Sequence, residues 1–92
     1  MICVKVRVFF QATPEQAELE VEEGTSVEAL LAHMIEENLQ ESGLGREKAA
    51  FLSNRDNLIV LLNGLAIHSL AGWKTVLQGG DRVALLPAMA GG

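Results

Sequence analysis

Cysteine is almost missing from these 92 residues, and the single Cys3 has no partner within the chain, which excludes a disulfide framework. A reducing compartment fits this usage, and a cytoplasmic location is expected. Long apolar runs are missing too: none approaches the roughly 20 residues that a membrane helix needs. Residues 2–9 alternate and carry Lys5 and Arg7, unlike a secretory leader, so neither a signal peptide nor a membrane partner is expected. Cations are scarce, seven Lys and Arg against twelve Asp and Glu, and the formal net charge is −5. Those cations are spread along the chain, which opposes binding to phosphate backbones, and nucleic acid is not an expected partner.

The two histidines, His33 and His68, have no Cys or His at ligand spacing, so neither a zinc site nor a catalytic dyad is defined. Gly79-Gly80-Asp81 lacks the length and the lysine of a phosphate-binding loop and reads as a turn. Cys3 without a Cys-x-x-Cys partner reads as a small hydrophobe in a strand. There is no repeat, linker or low-complexity segment, so one domain is expected, of modest stability at this size.

What is present is apolar material, 49% of the residues, in clear periodicity. Residues 2–9 set Ile2, Val4, Val6 and Val8 against Cys3, Lys5, Arg7 and Phe9, the period of two of a half-buried strand. Past a break at residues 11–14, residues 17–22 alternate Ala17, Leu19 and Val21 with glutamates, predicting a second strand antiparallel to the first. Thr25-Ser26-Val27-Glu28 has the form of a capping box. A helix follows, with Val27, Leu30, Leu31, Met34, Ile35 and Leu39 as one apolar stripe and Gly43 as its stop.

Residues 44–57 are the least regular, with a short helical turn at 46–52 before a polar loop. Leu58–Leu62 is an apolar strand, and Asn63-Gly64 is a hairpin turn because both residues tolerate positive φ. Residues 65–68 return as a short strand. Trp73 falls in an irregular stretch where it seals the core, and residues 82–86 form the last strand. The expected fold is α+β, a mixed sheet of four to five strands covered on one face by a helix.

On the other face alternation places Ile59, Leu61, Ala84 and Leu86; Lys5, Arg7 and Arg82 either rim that face toward acidic partners or are scattered solvated charges. Either this apolar face is a docking surface or residues 44–57 fold over it.

This order of elements, with Leu77, Gly80, Asp81, Val83, Pro87 and the terminal Gly91-Gly92, resembles the β-grasp sulfur carriers, most closely the small subunit of molybdopterin synthase. The opening Val4-Lys5-Val6-Arg7-Val8-Phe9-Phe10 and the Asn63-Gly64 hairpin add to the resemblance, which covers nearly the whole chain. Ala88 stands where the family often has a second proline, and residues 40–57 are longer than in its shortest members.

The resemblance implies a β-grasp (ubiquitin-like) domain over residues 1–86 and an extended tail over 87–92. It implies that the Gly92 carboxylate is adenylated and then converted to a thiocarboxylate that donates sulfur in molybdopterin biosynthesis. The implied partners are the large subunit of the synthase, an adenylating enzyme of the ubiquitin-activating type that uses ATP, and a sulfur donor. The resemblance also implies that the carrier itself binds no cofactor or metal and holds no complete active site of its own.

Physically, Gly91 and Gly92 lack the side chains that would obstruct a narrow channel. Five residues beyond Pro87 span about 16 Å when extended, enough to enter a partner's active site. Ala90 and Met89 complete the tail, where the Met89 thioether either fills an apolar groove in a partner or packs back onto the sheet. Three functional classes are open: the molybdopterin carrier, a protein modifier or carrier for another product such as thiamine or thiolated tRNA, and a non-catalytic β-grasp interaction module.

Overall fold

The alternation of residues 2–8 sets the floor of the molecule. In the computed structural model, which describes residues 1–10, 14–40 and 44–88, strand β1 (Ile2–Val8) turns Val4, Val6 and Val8 into the core and Cys3, Lys5 and Arg7 outward. Strand β2 (Glu15–Val21) lies antiparallel to it, with Lys5 opposite Glu18 and Val6 opposite Ala17. On the other flank of β1 runs the last strand, β5 (Arg82–Pro87), in parallel, with Lys5 beside Arg82 and Arg7 beside Ala84. Strands β3 (Leu58–Leu62) and β4 (Leu65–Ala66) complete the five-stranded sheet in the order β2-β1-β5-β3-β4. The parallel β1-β5 pair requires a crossover, and the helical layer supplies it.

Helix α1 (Val27–Leu39) buries Val27, Leu30, Leu31 and Met34 against the sheet. Its cap falls one residue later than the capping box predicts. Ser26, not Thr25, is the N-cap, and its Oγ accepts a hydrogen bond from the Ala29 N–H at 3.1 Å. The reason lies in the backbone: Thr25 C=O accepts from Leu77 N–H and Val27 N–H donates to Thr75 C=O, both at 2.9 Å, so Thr25 stays extended beside residues 75–77.

The buried stripe of α1 also departs from expectation at its end. Leu39 is 56% exposed, and the place nearest the core goes to Asn38 at 8%. Its Nδ2 donates to the Met34 C=O at 2.7 Å, satisfying the buried amide within the helix. The expected stop, Gly43, lies outside the described residues, as do residues 11–13 of the expected first turn.

Residues 44–57 form more than a turn. Helix α2 (Leu44–Ser53) packs on α1, and a 3₁₀ turn (Arg55–Asn57) leads into β3. Leu52 is fully buried and joins the same core as the inward residues of β1, β3 and β5. Phe51 meets Phe10 with ring centroids 5.5 Å apart. Two helices, not one, therefore cover one face of the sheet.

At the hairpin Asn63 and Gly64 adopt φ of 52° and 85°, the left-handed pair that this two-residue turn demands. The returning strand is shorter than residues 65–68: it ends at Ala66, and His68 sits in a 3₁₀ turn (Ile67–Ser69) that lets Ile67 reach the core. Trp73 lies in another 3₁₀ turn (Gly72–Lys74), half-buried against the core, with the Arg55 guanidinium 4.6 Å from its ring centre. Arg55 also pairs with Glu28 at 3.6 Å, tying the approach to β3 to the first turn of α1.

Candidate functional site

With α2 on the same side as α1, no described element crosses the opposite face of the sheet. The residues expected there are brought together by strand register. Arg7 lies beside Ala84, Ala84 opposite Leu61, and Leu61 opposite Ala66; toward the end of β5, Leu86 lies opposite Ile59. Ile59 is 41% exposed, while Leu61, Ala84 and Leu86 are partly exposed. Each alternates with a buried neighbour, Val60, Leu62, Val83 or Leu85, so the period of two assigns the faces without ambiguity.

Lys5 and Arg82 stand side by side at the start of β5, and Arg7 follows one pleat on. Together with Leu61, Gly64 and Ala84 these cations line a concavity of about 410 Å³. Among the described residues the ion pairs are Lys48–Glu15, Arg55–Glu28 and His33–Glu37, none of which involves these three. Lys5 faces Glu18 in register, but the Glu18 carboxylate lies nearest Cys3, with Oε2 at 3.8 Å from Sγ. The open face is therefore graded: acidic along β2, basic along β1 and the start of β5, apolar toward β3 and the end of β5.

Two further residues lie on this face. Phe9 continues the outward row of Cys3, Lys5 and Arg7, with the Arg7 guanidinium 6.0 Å from its ring centre. The alternation of residues 2–9 places it in this row. Cys3 is exposed on the same face and does not behave as a buried hydrophobe. Partial desolvation against the sheet, followed by the charge and hydrogen bond of Glu18, pushes its thiol above the usual cysteine range.

The tail positions Met89, Ala90, Gly91 and Gly92 lie outside the described residues. What is described is their point of departure. Pro87 lies opposite Leu58, and Ala88 N–H donates to Asn57 C=O at 2.8 Å, so pairing continues to the last described residue. Residues 89–92 thus follow a strand that is paired with β1 as far as Leu85 and bonded on the β3 side as far as Ala88, at the apolar end of the open face.

A mixed five-stranded sheet with a parallel central pair and its helices on one side defines a β-grasp domain of the ubiquitin-like class. Within that class the chain belongs to the ThiS family, whose model matches residues 6–92. The chain matches no curated protein sequence.

Several solved structures share the fold. A Pyrococcus furiosus protein assigned as subunit 1 of molybdopterin converting factor is 20% identical, with a TM-score of 0.64 over 97% of this chain and 100% of that one. SAMP1 from Haloferax volcanii is 22% identical, with a TM-score of 0.63 over 98% and 99% of the two chains. In a complex of subunits 1 and 2 of molybdopterin-converting factor from Helicobacter pylori, the matching chain is 23% identical, with a TM-score of 0.60 over 99% and 100%.

Proposed function

We propose that this chain is a sulfur carrier whose Gly92 carboxylate is the reacting group, acting as the small subunit of a molybdopterin synthase. One observation carries the reading: a family model of this class runs through the terminal Gly91-Gly92, and β5, the last described strand before them, borders an uncovered, graded sheet face. In the proposed cycle a carboxylate oxygen of Gly92 attacks the α-phosphate of ATP in the active site of an adenylating enzyme. Pyrophosphate leaves and an acyl-adenylate forms. A sulfur nucleophile from a donor adds to the activated carbonyl and expels AMP, leaving a thiocarboxylate. The large subunit of the synthase then receives the tail, the thiocarboxylate sulfur bonds to the acceptor carbon, and water cleaves the acyl C–S bond, leaving the sulfur on the acceptor and Gly92 as a carboxylate.

In this reading the acids, bases and phosphate-binding groups belong to partners, and the carrier supplies a narrow reacting end and a surface to grip. Ile59, Leu61, Ala84 and Leu86 form the apolar contact, with Lys5, Arg7 and Arg82 facing acidic groups of the partner. The likeness to the Helicobacter pylori subunit complex supports a large-subunit partner. The likeness to SAMP1, and to a Methanosarcina acetivorans structure of a small archaeal modifier protein, favours one second reading. There the same activated carboxyl is passed to a target lysine.

The test is the mass of the C-terminal peptide after incubation with ATP, a sulfur source and the adenylating enzyme, using thiol-selective alkylation and a Gly92-deleted control. An alkylatable sulfur on Gly92 is expected. Alkylation matters because oxidation of Met89 adds nearly the mass gained on exchanging oxygen for sulfur. An unmodified end with a demonstrably active enzyme overturns the reading in favour of a non-catalytic interaction module, and an isopeptide to lysine favours the modifier.

A further inference from the structure

The sheet has a second uncovered feature, away from the open face. Strand β2 ends the sheet, so among the described residues no strand neighbours one flank of Glu15–Val21, whereas β4 at the opposite end is only two residues long. An unpaired flank of this length is a template for an added strand.

The inward row of β2 is progressively uncovered toward its start. Val21 is buried, Leu19 half-buried, and Ala17 and Glu15 exposed, although this row faces the helices. The cause is a gap between β2 and α1 that the small Ala17 side chain leaves unfilled. The resulting slot, about 210 Å³, reaches Val6, Val8 and Met34 of the core. Asn38 and Glu37 form its α1 wall, and the Lys48–Glu15 ion pair lies across its end.

We propose that this edge and slot form a second docking site, which takes an extended, lysine- or arginine-bearing segment of a partner protein. The segment adds to β2 as a further strand and seats an apolar side chain over Ala17. Charge selects the occupant. Glu18 and Glu20 of β2 and the following Glu22 and Glu23 enter no ion pair among the described residues, whereas Glu15 and Glu37 at the slot already meet Lys48 and His33. Two copies of this chain pairing β2 to β2 would set these carboxylates against each other, which opposes a second copy as the occupant. A segment alternating cations with aliphatic residues satisfies the backbone edge, the slot and the carboxylates together. The slot lies on the helical side of the sheet, away from the departure point of residues 89–92, while Glu18 and Glu20, which the segment's cations meet, stand at the acidic margin of the open face.

The test is a titration of the isotope-labelled full chain with the peptide acetyl-Lys-Val-Lys-Ile-Lys-Val-Lys-amide, followed by backbone amide resonances. Saturable shifts are expected along β2 and at Met34 and Asn38, and none is expected with the same peptide bearing Glu in place of Lys. Ala17→Phe, which fills the slot from an exposed position, and the pair Glu18→Lys with Glu20→Lys should each weaken binding about tenfold. The unliganded spectrum reports whether each variant is folded. Shifts centred on the open face, equal binding of the Glu peptide, or unchanged binding by a folded Ala17→Phe chain would each overturn the proposal. Sedimentation of the free chain should show a monomer; a dimer with β2 at its interface would also overturn it.

Discussion

Asn63 and Asp81 grip each other across two turns, the β3–β4 hairpin and the turn that leads into β5. Asn63 Nδ2 donates to Asp81 Oδ1 at 3.0 Å, and Asn63 Oδ1 accepts from the Arg82 N–H at 2.9 Å. The other carboxylate oxygen of Asp81 accepts from Gln78 N–H at 2.8 Å, closing the turn in which Gly80 takes a φ of 86°. Gly80 N–H in turn donates to Cys3 C=O at 2.8 Å. The Asn-Gly and Gly-Asp pairs, separate features in the sequence, thus form one junction that fixes the register of the tail-bearing strand.

Removing that junction should be felt in stability. Asn63→Ala loses both side-chain bonds and places a less tolerant residue at positive φ, for an expected cost of about 1–3 kcal/mol. Asn63→Gly keeps the backbone conformation and loses only the bonds, so it should cost less. Urea denaturation of both variants separates the two contributions, and equal costs would remove the backbone from the explanation.

On the proposed function, exchanging Lys5 and Arg82 together for Glu should weaken complex formation with an adenylating enzyme and a synthase large subunit, mainly through a slower on-rate with a smaller salt dependence. These residues are exposed and outside the core, so the thermal midpoint should stay nearly unchanged. Affinity unaltered by the double reversal would remove the basic rim from the interface.

The Cys3 thiol is held above its ordinary range by partial desolvation and then by Glu18, while Lys5 acts in the opposite sense. The thiolate, and with it alkylation by iodoacetamide, should therefore appear at higher pH than in a free cysteine. Glu18→Gln should move the pH midpoint of alkylation down, and Lys5→Gln should move it up. Rates measured across the thiol titration check both signs, and midpoints that do not move would exclude the neighbouring charges as a cause.

In the core, Leu52→Ala should cost about 2–5 kcal/mol, because Leu52 is fully buried between α2 and the sheet. Leu39→Ala should stay within about 0.5 kcal/mol, since that side chain is mostly in water. Denaturation midpoints of the pair check whether α2 belongs to the cooperative core.

The strands and the open face were legible because a period of two leaves little freedom. Once Val4 and Val6 are inward, Lys5 and Arg7 must be outward, and the same logic places Ile59 and Leu61. Helical faces were less legible. The stripe Val27, Leu30, Leu31, Met34 continues to Asn38, whereas Leu39 follows Ile35 along its half-buried margin, so hydropathy alone chose the wrong neighbour. Helix α2 offered a weak signal, since its burial rests largely on Gly45, Ala49 and Leu52, too few for a convincing stripe. The shift of the cap from Thr25 to Ser26 depends on pairing with residues 75–77, which are distant in sequence. The slot beside Ala17 depends on how far β2 stands from α1, a distance that no local pattern encodes.

The place of β5 between β1 and β3 has a mechanical consequence. A partner that draws on the tail pulls along a strand laddered to both neighbours, so the force is resisted in shear by many hydrogen bonds at once instead of peeling them one by one. The domain can therefore serve as a firm handle for a tail under tension, passed between partners without the strand being stripped from its sheet.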